Sequence, residues 1–328
     1  MVTQRPFRFG AAATNASSRE AWIDYVRKVE SLGYSTLVTG DHIFFGGSAP
    51  IPALMAAADA TTTLRLATHV LANDFRNPVM LAQEVATLDL LSEGRLELGI
   101  GAGWLALDYA AAGIPFDPPV TRVKRLEETV HLLKRLFGDE PVAFTGDYYT
   151  IQDMNLQTKP LQRPHPPLFI GGGGKQVLTL AGREANIVGL DLKGAREGGK
   201  DMATGSADAV MQKIDWVRQA AGERFAEIEF HMLFNTVTVT DDRRRGAEQT
   251  AAWLTSFPPG VVVNLDTSIE GILDSPLFLI GTIEQIAEEL RVRRERFGIS
   301  YVTVGSDDVE AFGPVVERLA GTKVAVEQ

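Results

Sequence analysis

The hydrophobic pattern of this chain changes period repeatedly: short apolar runs alternate with longer segments whose apolar residues recur every three or four positions. FRFGAAA (7–13) predicts the first strand. A helix over about 17–32 follows, with Trp22, Val26 and Val29 on one face. Ser17 and Glu20 have capping-box spacing, and Gly33 stops the helix. STLVTG (35–40) predicts the second strand, ahead of a polar, Gly-rich loop, and RLATHV (65–70) the third. A helix then opens at Asn77-Pro78, runs through Leu81, Val85 and Leu88, and ends at Gly94. RLELGI (95–100) is the fourth strand. After a long loop, Val123, Leu126, Val130 and Leu133 keep helical spacing up to Gly138.

Residues 139–167 break the alternation. VAFTGDYYTI predicts a hairpin around Thr145-Gly146-Asp147, and KPLQRPHPP a rigid connector. The alternation resumes with strand 167–172, helix 175–183 and strand 185–190. A Gly-rich, charged stretch (191–205) has the composition of a mobile loop or lid. Helix 207–222, strand 229–239, a helix near 243–256 and an irregular stretch with Pro258-Pro259-Gly260 follow. Thr282 and Gln285 cap a helix to about 297, then come strand 301–304 and a last helix near 308–320. Eight strands separated by helices mean a parallel sheet. The count, the length and the polar or Gly residues ending nearly every strand favour a closed (β/α)8 TIM barrel over an open doubly wound sheet. The whole chain, 1–328, reads as one barrel domain with insertions at about 139–167, 191–205 and 257–281.

Composition narrows the function. The apolar fraction of 45% supplies a large core, and no run of about 18 apolar residues is present to span a membrane. MVTQRPFRFGAAAT lacks the charged and apolar regions of a leader, so a cytoplasmic protein is expected. The absence of cysteine excludes disulfides, thiolate nucleophiles and Cys-ligated zinc. A net charge of −10 disfavours nucleic acid and anionic membranes as partners. A small-molecule substrate is the expected partner.

Four strand ends carry candidate chemistry. Thr39-Gly40-Asp41-His42 sets a histidine beside a carboxylate able to orient it, an arrangement suited to proton transfer. Thr68 to Asn73 reads as ordinary barrel packing. Gly99-Ile-Gly101-Ala-Gly103-Trp104 has the wrong spacing for a dinucleotide fingerprint. Its glycines suit close approach of a flat ring, with Trp104 as a wall. Gly171-Gly172-Gly173-Gly174-Lys175 opens a helix, so its free N–H groups and the helix dipole predict a phosphate-bearing ligand. No metal-ligand spacing and no serine-hydrolase elbow is found.

Taken together, these strand ends resemble the luciferase-like superfamily, and within it the branch that uses the deazaflavin coenzyme F420. The likeness is most specific in TLRLATHVLANDFRNPVMLAQEVATLDLLSEGRLELGIGAGW (63–104). It implies that Asp41 contacts the deazaflavin and that His42 is the acid/base. It implies a non-proline cis peptide at His69–Val70 behind the ring, and Ala102 and Gly103 beside it. It further implies a phosphate cradle at Gly171, Gly172, Gly173, Gly174, Gln176 and Val177, and a homodimer. One departure stands out. Sugar-phosphate dehydrogenases of this branch have a second catalytic carboxylate where this chain has Trp104, which makes a flatter or more apolar substrate the expectation. Two alternatives stand beside hydride transfer: an FMN-dependent monooxygenase, and a flavin-binding protein without chemistry.

Overall fold

The computed structural model describes residues 5–13, 15 and 17–322. Part of the segment read for a leader, residues 1–4 and 14, therefore lies outside the described residues. Eight strands pair in parallel: β1 (Arg8–Ala13), β2 (Thr36–Thr39), β3 (Arg65–Thr68), β4 (Leu96–Gly101), β5 (Leu168–Gly172), β6 (Ile187–Leu190), β7 (Glu229–Phe234) and β8 (Ile299–Val304). Register runs from Arg8↔Tyr301 on one side of β1 to Gly10↔Thr36 on the other. The circle closes where Leu66 of β3 pairs with Leu96 of β4. This is the expected (β/α)8 barrel.

The helices bury one face each against it. Arg19–Ser31 buries Trp22, Val26 and Val29, as its spacing predicts; each such side chain contributes roughly 1.5–3 kcal/mol. Its cap is Ser18 rather than Ser17: the Ser18 hydroxyl accepts from the Ala21 N–H at 3.1 Å. The stretch read as loop after the second strand contains a helix, Pro50–Ala60. Its alanine-rich sequence is apolar on nearly every side and offers little helical periodicity to read. Thr282 and Gln285 do form the predicted capping box. The predicted hairpin pairs Val142–Thr145 with Thr150–Met154. The Glu128 carboxylate, on helix Pro119–Leu136, accepts N–H bonds from Asp147, Tyr148 and Tyr149 and ties the hairpin down.

Two predicted strands are broken. The third stops at Thr68 and resumes as Leu71–Ala72, paired with Ile100 and Gly101. Between them the His69–Val70 peptide is cis. The Thr68 hydroxyl takes over from the ladder, accepting from Gly99 N–H at 2.8 Å and donating to Gly99 O at 2.7 Å. The seventh stops at Phe234, and Val237–Val239 pairs instead with Leu279–Gly281 outside the barrel.

Charge closes the bottom of the barrel. Arg8 bridges Glu97 and Glu229, each at 2.7 Å, and Arg65 reaches Glu97 at 2.6 Å. The Arg8 guanidinium lies 3.6 Å from the Tyr301 ring centroid. Burial pushes the Glu97 carboxyl up, but Arg8 and Arg65 outweigh it and hold it below the ordinary carboxylate range. Above this layer pack Phe169, His231 and Tyr301, with His231 Nε2 2.9 Å from Thr303 Oγ1.

Candidate active site

All the strand ends singled out in the sequence open onto one cavity of about 1160 Å³ at the C-terminal mouth of the barrel, the face where such barrels carry their sites. It is lined by Asp41, His42, His69, Val70, Ala102, Gly103, Trp104 and the run Gly171–Val177. Every candidate residue is thus brought to one place.

Asp41 and His42, adjacent in sequence, do different work. The Asp41 carboxylate receives Arg76 Nη1 at 2.5 Å, Arg76 Nη2 at 3.1 Å and the Ala72 N–H at 3.0 Å. It therefore fixes the segment that follows the cis peptide and does not orient His42. That role belongs to Asp108, whose Oδ2 lies 2.7 Å from His42 Nδ1. Asp108 Oδ1 accepts from the Ile43 and Phe44 N–H groups at 2.8 and 2.7 Å. Burial raises the Asp108 carboxyl, but the bonds from His42 and the two amides prevail and hold it below its ordinary value. An ionised Asp108 accepts Nδ1–H, which leaves His42 Nε2 as the ring nitrogen free to exchange a proton. Asp108 was legible only as a nearby carboxylate, since its 66-residue separation from His42 carries no periodic signal.

The glycines prove to make room mainly for protein. A Cβ at Gly99 would lie 1.7 Å from the Thr68 carbonyl oxygen, and one at Gly101 2.8 Å from Val70 Cγ2. Val70 therefore rises into the mouth through a gap in the glycines of β4, rather than the gap serving a flat ring directly. Gly172 makes room for the Val177 side chain, and Gly173 for the backbone of Asp191 and Leu192. At Gly174 a Cβ would meet nothing within 4 Å. There the helix Lys175–Glu184 begins with no side-chain cap, so its first N–H groups stay available at the cavity edge. The anion-binding signal read from four glycines thus narrows to Gly174 and the N–H groups after it.

Arg122 holds the loop after β4. Its Nη1 donates to the carbonyls of Ala102, at 3.0 Å, and Gly103. Gly103, at φ +71°, is kept free of a side chain by the Tyr109 hydroxyl. Trp104 stands edge-on to the His42 ring, centroids 5.5 Å apart, and Phe45 does the same from another side at 5.7 Å. Lys200 Nζ lies 4.7 Å from the Trp104 ring centroid and pairs with Asp191. His69 sits 4.7 Å from His231, and its surroundings push its imidazole down to about 4. The other histidines stand apart: His131 faces Glu184 at 3.4 Å and His165 its neighbour Pro166. Among the described residues no cluster of His, Asp or Glu is arranged to hold a metal, and no helix is long and apolar enough to cross a membrane.

The family model for luciferase-like monooxygenases matches residues 3–301, and the chain belongs to that family. It is similar to an F420-dependent glucose-6-phosphate dehydrogenase of Intrasporangium calvum, 35% identical over 185 residues, 54% of each chain. The chain thus spans about half the length of that relative. A longer match, 28% identical over 293 residues, is to limonene 1,2-monooxygenase of Rhodococcus erythropolis, covering 84% of this chain and 72% of that one. The barrel superimposes on a solved F420-dependent secondary alcohol dehydrogenase in complex with an F420-acetone adduct, with a TM-score of 0.74 at 21% identity, covering 96% of this chain and 98% of that one.

Proposed function

We propose that this protein is an F420-dependent oxidoreductase acting on a small organic substrate, with His42 as its acid/base. The observation that carries the reading is the His42–Asp108 pair, 2.7 Å apart, beside the Val70 floor of a cavity of about 1160 Å³. The residues present fit the coenzyme. Val70, Ala102 and Gly103 would flank the deazaflavin, Asp41 would hold the floor segment, and Gly174 with the N–H groups that follow it, through Gln176 and Val177, would take the phosphate. Bound there, the deazaflavin supplies or accepts a hydride at its C5 carbon.

The chain's own part is proton handling and exclusion of water. Asp108 keeps His42 in the tautomer with Nδ1–H, so that Nε2 accepts a proton from a substrate hydroxyl or, once protonated, donates one to a carbonyl oxygen. Trp104 and Phe45 flank the imidazole edge-on. A second reading, an FMN-dependent monooxygenase, is favoured by the longer match to limonene 1,2-monooxygenase. Oxygen separates the two. Reduced F420 should be reoxidised by a ketone under strictly anaerobic conditions; turnover that requires oxygen would overturn the proposal.

A further inference from the structure

We infer that the substrate is an apolar ring compound with a single oxygen function, seated between Trp104 and the 253–263 segment. The inference rests on the redox reading only for what happens to that oxygen; the binding site stands on its own lining. Away from the glycines, the cavity is walled by Phe45, Trp104, Trp253, Phe257, Val262 and Phe278. Trp253 and Phe257 meet edge-on, centroids 4.9 Å apart. The wall is continuous: Lys200 lies over Trp104 and is the register partner of Val262. A Cβ at Gly198 would lie 2.7 Å from the Ala106 side chain, so the lid packs directly on the loop that carries Trp104.

Two cations lining the cavity, Lys200 and Arg122, are committed to protein partners. Lys200 is held by Asp191 and the Trp104 face. Lys175, Lys193 and Arg196 also line the cavity and are exposed to solvent. Asp108, the carboxylate nearest His42, is buried with three partners. Against the aromatic wall itself, a polyhydroxylated substrate would lose hydration without gaining polar partners. An apolar ring gains aromatic contact and presents one oxygen to His42 Nε2.

The test is calorimetric titration of the full chain with menthone and with glucose 6-phosphate, with and without F420. Menthone should bind and the sugar phosphate should not. Trp253→Ala should weaken menthone binding about tenfold or more while Trp253→Phe retains it. Phe257→Ala serves as the second variant if Trp253→Ala fails to fold. Glucose 6-phosphate binding as tightly as menthone, no menthone binding in either state, or unchanged affinity in both alanine variants would overturn the inference. Failure of F420 to bind, with menthone still bound, would overturn the redox reading alone.

Discussion

His42 Nδ1 lies 2.7 Å from Asp108 Oδ2, while the carboxylate next to His42 in sequence, Asp41, is occupied by Arg76 and a backbone amide. The orienting group of the proposed acid/base is therefore not its neighbour. His42→Ala should lower turnover by about 10²–10⁴-fold with F420 affinity nearly unchanged. Asp108→Asn should act in the same direction, and the double variant should be little worse than His42→Ala, because the two act as a unit. Additive losses in turnover numbers would show that Asp108 works elsewhere.

Asp41 supports the floor of the site. Arg76→Ala removes the charge partner of a carboxylate only 9% exposed. The expected loss is about 3–5 kcal/mol of stability, the range for breaking a buried pair, with F420 affinity falling as the segment after Val70 loosens. Urea unfolding and a coenzyme titration check both. Full stability with intact binding would contradict the role.

Gly173 and Gly174 should part company. A Cβ at Gly173 would lie 2.3–2.4 Å from the Asp191 and Leu192 backbone, whereas one at Gly174 meets no atom within 4 Å. Gly173→Ala is expected to lower the melting temperature markedly. Gly174→Ala should leave it unchanged and weaken F420 binding about tenfold, by crowding the phosphate at the helix N-terminus. Equal melting temperatures for the two variants would contradict the packing account.

Stability should fall on the acid side before ordinary carboxylates titrate. His69 is held at about 4, against 6.5 for a free imidazole, first of all by burial. Between those values the unfolded chain binds the proton and the folded chain does not, so stability is complete above about 6.5 and declines as pH falls toward about 4. His231, buried and pushed down further, adds to the same decline, and Glu97 extends it below the ordinary carboxylate range. Urea midpoints across this interval should drop with pH, and His69→Gln should flatten part of the slope. An unchanged slope would contradict it.

The barrel was legible because its signal is local and repeated. Strand and helix periods alternate, glycines stop helices such as Arg19–Ser31, and the Thr282–Gln285 box marks a start. The helix Pro50–Ala60 escaped because alanines on every side leave no amphipathic stripe. The cis peptide at His69–Val70 was legible only through the family resemblance; the residue pattern itself hid the break after Thr68, where a hydroxyl on one strand bonds Gly99 of the next. The site was legible in its strand-end residues, but its pairings were not. Asp108 with His42, Arg76 with Asp41 and Arg122 with the carbonyls of Ala102 and Gly103 all join separate loops. Likewise, the stretches 191–205 and 257–281 read as separate insertions, yet Lys200–Asp201 pairs with Val262–Val263 to form one cover over the mouth.

The proposed function requires that the cavity take F420 in preference to FMN. Titrating the purified chain with F420 and, separately, with FMN, and following the quenching of coenzyme fluorescence, tests it most directly. Saturable F420 binding in about the micromolar range is expected, with FMN binding at least about tenfold more weakly. Micromolar FMN binding with no binding of F420 would contradict it.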